Sequence, residues 1–140
     1  MVKPPVEIEL EWQSDLRFEG RAGRVVTAID GHGEAGPSPM TLLLMALASC
    51  TGSDVVEILR KGRQDLRALR IEGRGERRRE PLPPRYTRVR LVFGMEGAIE
   101  RSKAERAVEL SLEKYCSVLH TLAEDVELEW EVRLAGEEVG

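Results

Sequence analysis

The chain contains no asparagine, only two glutamines and only two cysteines. Two thiols exclude a disulfide-rich secreted scaffold. In a reducing compartment such a pair is more often buried, catalytic or redox-active than a permanent staple. The shortage of amide side chains beside abundant Arg and Glu suits a heat-adapted, thermostable protein with surface ion pairs. A GC-rich genome would leave the same bias of Arg over Lys. There is no excess of positive charge: the net charge of −4 argues against a general nucleic-acid binder. The longest apolar run, Leu42 to Ala48, falls far short of the roughly 20 residues of a membrane span. Met1-Val2-Lys3-Pro4-Pro5 leads into strand-like alternation, not into a signal peptide. The expectation is a soluble, cytoplasmic, single domain over residues 1–140, large enough for one core and small enough to share part of it with a partner.

What is present is strongly patterned. Val6, Ile8, Leu10 and Trp12 alternate with Glu7, Glu9 and Glu11, which reads as a strand with one buried face. Leu16–Glu19 and Arg24–Ile29 read as two further strands around a Gly20–Gly23 turn, and Gly31–Pro39 as an irregular connector. Ser38 as cap and Pro39 at the first helical position open a helix running to about Arg60-Lys61, with Gly62 as its stop. Its first half is apolar on every side, which marks a helix buried in a core or between subunits. Leu66–Arg77 and Tyr86–Met95 form a hairpin around a charged, proline-rich loop. Ser102 with Glu105 makes a capping-box pattern for a helix through Tyr115, with Ala104, Val108, Leu112 and Tyr115 on its buried face. A short helix, Val118–Ala123, and a last strand, Val126–Leu134, complete β-β-β-α-β-β-α-β. Strands and helices come in blocks, so the class is α+β.

Cys50 lies well inside the long helix, beyond the reach of the helix dipole, and needs another cation to become a thiolate. Taken alone, a Cys in an apolar helix is more often a small core residue. Asp54, one turn later, disfavours a nearby thiolate. Cys116 ends the later helix at a junction that can face a cleft, or it is a buried structural thiol. Arg21, between Gly20 and Gly23, can project a guanidinium from a strand end and bind a thiolate, peroxide or carboxylate; a solvated turn is the plainer reading. His32 and His120 do not complete a zinc site with the cysteines, because there is no Cys-x-x-Cys and the ligand spacing is wrong. The cluster Arg74, Arg77, Arg78 and Arg79 is broken by Glu76 and Glu80 and reads as a solvated hairpin tip.

At these residues the chain resembles the OsmC/Ohr superfamily of osmotically inducible and organic-hydroperoxide-resistance proteins, nearest its YhfA-like branch. The resemblance rests on Ser38-Pro39-Met40, Asp54-Val55-Val56, Lys61-Gly62-Arg63-Gln64-Asp65, Glu113-Lys114-Tyr115-Cys116-Ser117-Val118 and Gly20-Arg21-Ala22-Gly23-Arg24. It covers nearly the whole chain and implies an intertwined homodimer with two interfacial sites and a long buried central helix. It also implies thiol peroxidase chemistry in oxidative-stress defence: Cys50 as nucleophile, Cys116 as resolving thiol, and Arg21 from the partner subunit as activating cation. No bound cofactor or metal is implied, only a hydroperoxide substrate and an external dithiol reductant. Met40 and Thr41 stand where the hydroperoxide reductases carry a glutamate that holds the arginine, which leaves Asp30 or Glu34 to substitute. Ser117 stands where they usually have proline. Two rivals use the same fold: a non-catalytic dimer binding an apolar small molecule or partner in the cleft, and a structural dimer with inert core thiols.

Overall fold

The computed structural model describes residues 2–137. The chain divides into two compact units at Leu43–Leu44, within its long helix. In the first unit, β1 (Glu9–Ser14), β2 (Arg17–Ala22) and β3 (Val25–Asp30) form an antiparallel sheet in chain order. Trp12 faces Phe18, Phe18 faces Ile29, and Ala22 faces Val25, so the alternation gathers the apolar side chains on one face. That face was expected to be buried. Within one chain it is not: Ile8, Leu10, Trp12 and Val25 are 60, 54, 65 and 67% exposed. The β2–β3 turn is tighter than the expected Gly20–Gly23. Gly20 and Arg21 are paired strand residues, and Gly23, at φ 61°, opens a two-residue hairpin turn.

Asp30 organises the connector that follows. Its buried carboxylate accepts the backbone N–H groups of Ala35 and His32, both at 2.9 Å, and of Glu34 at 3.3 Å. The bonds from Ala35 and His32 lead in holding its pKa below the ordinary carboxylate value; burial opposes them, and Glu34 and Arg17 add to the lowering.

Helix α1 (Pro39–Lys61) has the predicted ends. Ser38 Oγ accepts the Thr41 N–H at 3.3 Å, and Arg60 and Lys61 occupy the last turn. Gly62 does not supply the left-handed residue of the C-terminus; Arg63 does, at φ 57°. Gln64 N–H reaches the Leu59 carbonyl at 2.9 Å and Arg63 N–H reaches that of Arg60 at 3.0 Å, which is the Schellman arrangement. By length and composition α1 could cross a membrane. Here it is a core helix with one buried stripe, Leu47, Thr51, Gly52, Val55 and Leu59, while Met45 is 55% exposed.

The second unit sets that stripe on a sheet of order β4-β5-β6. β4 (Asp65–Arg77) and β5 (Tyr86–Ala98) form the predicted hairpin, and β6 (Glu127–Leu134) lies parallel to β5. Gly52 permits close approach, since a Cβ there would stand 2.6 Å from Ile71 Cδ1. Val89, Leu91, Phe93 and Met95 alternate into the core at 2% exposure or less. Each such side chain contributes about 1.5–3 kcal/mol by its burial. Across the other face Arg88 pairs with Glu127 and Arg90 with Glu131.

Helix α2 (Arg101–Leu110) departs from its prediction at both ends. Ser102 is not its cap: Glu100 holds that position, makes no side-chain cap bond, and donates its own N–H to Gln64 Oε1 at 2.8 Å. After Leu110 the helix widens into a π turn, Ser111–Tyr115, closed by Cys116 N–H on the Ser111 carbonyl at 2.7 Å. Ser111 continues the buried stripe of Ala104, Ala107 and Val108, and the extra residue after it turns Tyr115, expected on the buried face, out to 49% exposure. α3 (Ser117–Thr121) begins at once.

Candidate thiol site

The π turn and the middle of α1 bring Cys50 and Cys116 together in the second unit. Both are free thiols, and Cys50 lies near enough to Cys116 to raise its pKa. They are not equivalent. Cys50 is half-buried on α1, whereas Cys116 is fully enclosed. Burial pushes the Cys116 thiol up, and so, more weakly, does Cys50. The Thr51 hydroxyl and the Leu119 N–H pull it back, each donating to Sγ at 3.4 Å. Cys116 thereby serves as the side-chain cap of α3.

A second polar link ties the same two elements. Ser111 Oγ, fully buried at the start of the π turn, donates to Asp54 Oδ2 at 2.7 Å. Asp54 therefore anchors the turn that carries Cys116. Thr51, Ser111 and this role of Asp54 were missed in the sequence. Thr51 and Asp54 had a usable signal, because Thr51 lies four residues from both Leu47 and Val55 on the buried stripe and Asp54 lies one turn beyond Cys50. Ser111 had one too, because it follows Ala104, Ala107 and Val108 at helical spacing on their buried face.

Arg21 belongs to the first unit. It is 51% exposed, and its Nη2 lies 2.8 Å from Glu19 Oε1, a neighbour two residues back on the same strand face. Neither Asp30 nor Glu34 is its partner. Those carboxylates face Arg17 instead, at 3.6 and 3.8 Å. Thr41, one of the two residues in place of the missing glutamate, bonds Ser38 at 2.9 Å. His32 sits 3.1 Å from Asp15, and His120 Nε2 lies 3.0 Å from the Leu112 carbonyl. Among the described residues no group of three or more His, Cys, Asp or Glu could hold a metal.

The sequence pattern of the family described as OsmC-like protein matches residues 31–131, which include both cysteines. This chain belongs to the OsmC-like family. Within the OsmC-like proteins it is 36% identical over 126 residues to Protein YhfA of Escherichia coli, covering 88% of this chain and 93% of that one. A crystal structure of a hypothetical protein from Aquifex aeolicus is 34% identical, with a TM-score of 0.87 over 97% of this chain and 100% of its own. The organic hydroperoxide resistance protein OhrB of Bacillus subtilis has the same fold at 17% identity, with a TM-score of 0.66 over 92% of this chain and 98% of its own. The α+β OsmC-like fold read from the sequence is thus the observed one.

Proposed function

We propose that this OsmC-like protein is a thiol-dependent peroxidase that reduces organic hydroperoxides. The observation carrying this reading is the nearness of two free thiols of unequal exposure, one half-buried and one enclosed. The Cys50 thiolate attacks the terminal peroxide oxygen, the O–O bond breaks, and the alkoxide leaves as an alcohol after taking up a proton. Cys50 becomes a sulfenic acid. The Cys116 sulfur then attacks the Cys50 sulfur, an S–S bond forms, and the S–OH oxygen departs as water. An external dithiol reduces the disulfide by exchange. In this reading the protein acts as a cytoplasmic homodimer with no bound cofactor, and Arg21 of a second copy, held in line by Glu19, favours the thiolate and orients the peroxide.

The test is peptide mass spectrometry of reduced protein after one equivalent of cumene hydroperoxide and then dithiol. A rapid two-proton loss mapped to Cys50–Cys116 and reversed by dithiol is the expected result. Two intact thiols after minutes of exposure reject the reading. Cys50→Ser should abolish peroxide consumption.

A second reading has its own support. On the first sheet, Ile8, Leu10, Val25, Thr27, Ile29 and Leu42 line an apolar hollow of about 290 Å³. A non-catalytic member would take an apolar small molecule or a partner there. It would bind equally well as Cys50→Ser, which the peroxidase reading does not require.

A further inference from the structure

Three hydroxyls lie close together on the middle of α1, and one behaves unlike the others. Ser49 Oγ donates to the Ala46 carbonyl at 3.2 Å and Ser53 Oγ to the Ser49 carbonyl at 2.8 Å. This is the usual resort of a hydroxyl inside a helix, where the carbonyl three or four residues back is the nearest acceptor. Thr51, between them, spends its one O–H proton across the core on Cys116 Sγ at 3.4 Å. Both ends of that bond are fully buried. A sulfur is a poor acceptor as a thiol and a much better one as a thiolate, so the bond strengthens when Cys116 ionises. Its isolation from water increases the effect.

We propose that Thr51 is a positioning residue for disulfide closure, stabilising the anionic form of the Cys116 sulfur when it attacks oxidised Cys50. The inference rests on the peroxidase reading and adds a residue to it. In the step concerned, a hydroperoxide has already oxidised Cys50 to its sulfenic acid. Cys116 loses its proton, its sulfur displaces the hydroxyl from the Cys50 sulfur, and proton and hydroxide leave as water. The Thr51 O–H remains a donor throughout and is not consumed. Burial and the neighbouring Cys50 hold Cys116 in its thiol form, and Thr51 with the Leu119 N–H counters them.

Thr51→Val keeps the shape and deletes the donor; Thr51→Ser keeps the donor. Closure of the Cys50–Cys116 disulfide after one equivalent of cumene hydroperoxide, followed by acid quench and mass spectrometry across pH, has a distinctive expected result. With the donor gone, the closure profile moves up by about one pH unit. At neutral pH closure slows about threefold, since a tenfold loss of thiolate is partly offset by the greater nucleophilicity of a more basic sulfur. At high pH the Val variant overtakes the parent, and the two profiles cross. Thr51→Ser restores the parent profile. A packing defect would slow closure at every pH, and that result, or an unmoved profile, overturns the proposal. If the unaltered protein forms no Cys50 sulfenic acid or disulfide, the peroxidase reading fails on its own. The Thr51 bond is then judged from the thiolate absorbance of reduced Cys50→Ser protein. There, Thr51→Val raises the Cys116 midpoint if Thr51 stabilises the anion, and an unchanged midpoint rejects it.

Discussion

Two three-stranded sheets are written with the same period-two alternation, and they differ in cover. In the second, Val89, Leu91, Phe93 and Met95 vanish into a core faced by the α1 stripe. In the first, Leu10, Trp12 and Val25 share a face and stay more than half exposed. Alternation decides which side chains stand together; it does not decide what shields them. An exposed apolar face of this kind is characteristic of an interaction surface, and the homodimer proposed above would supply the cover.

The largest effect should come from breaking the covered sheet. Phe93→Ala is expected to cost about 3–5 kcal/mol in denaturant unfolding. Trp12→Ala, at low protein concentration, should cost less than about 1 kcal/mol while weakening self-association in sedimentation. Equal losses that do not depend on concentration would erase the distinction between the sheets. A smaller contrast lies in two glycines with positive φ. Gly97→Ala drives a Cβ into the Asp65 carbonyl at φ 131° and should cost more than about 3 kcal/mol. Gly23→Ala meets open space and should cost only the left-handed strain of roughly 1–2 kcal/mol.

Asp30→Asn should lower Tm, because one carboxylate oxygen accepts from His32 and the other from Glu34 and Ala35, and the amide replaces one of these acceptors with a donor NH2. The sign with pH follows from its depressed pKa. The stabilisation is complete above roughly pH 4, where the unfolded carboxylate is ionised, and is lost as pH falls through the lower folded value. The parent and Asp30→Asn should therefore converge in acid, and a gap that does not depend on pH would exclude this account. Smallest is a gain. Arg63→Gly places glycine at the left-handed end of α1 and should stabilise by about 1 kcal/mol, read as a rise in the denaturant midpoint. No gain would mean that the arginine side chain offsets its backbone strain.

Most of the architecture was legible because each element carried a local signal. Ser38-Pro39 marked the start of α1, Arg60-Lys61 its end, and the β5 alternation the core of the second sheet. The failures were nonlocal. Ser102 and Glu105 form an acceptable capping box, yet Gln64, distant in sequence, ties down the preceding backbone at Glu100. Cys50 and Cys116 could be named as a pair only through family resemblance, since no spacing rule joins them. Glu19 was legible in principle as the strand-face neighbour of Arg21, but the tight-turn reading hid it.

The π turn at Ser111–Tyr115 acts as a setting of helical phase. Each residue in an α-helix advances the chain by roughly 100°, so one inserted residue rotates everything beyond it by more than a quarter turn. The step is a single residue: Tyr115 swings outward, and Cys116 arrives where it meets Thr51 and Cys50. Deleting Glu113, which is exposed, would let an uninterrupted α-helix form and keep a similar number of backbone hydrogen bonds. The helix should survive, and Cys116, then four residues beyond Ser111 on an α-helix, should keep the direction that the π turn gives it at five. Winding the same residues as α without removing one would instead put Tyr115 in the place of Cys116 and turn the thiol roughly 100° away from Thr51 and Cys50.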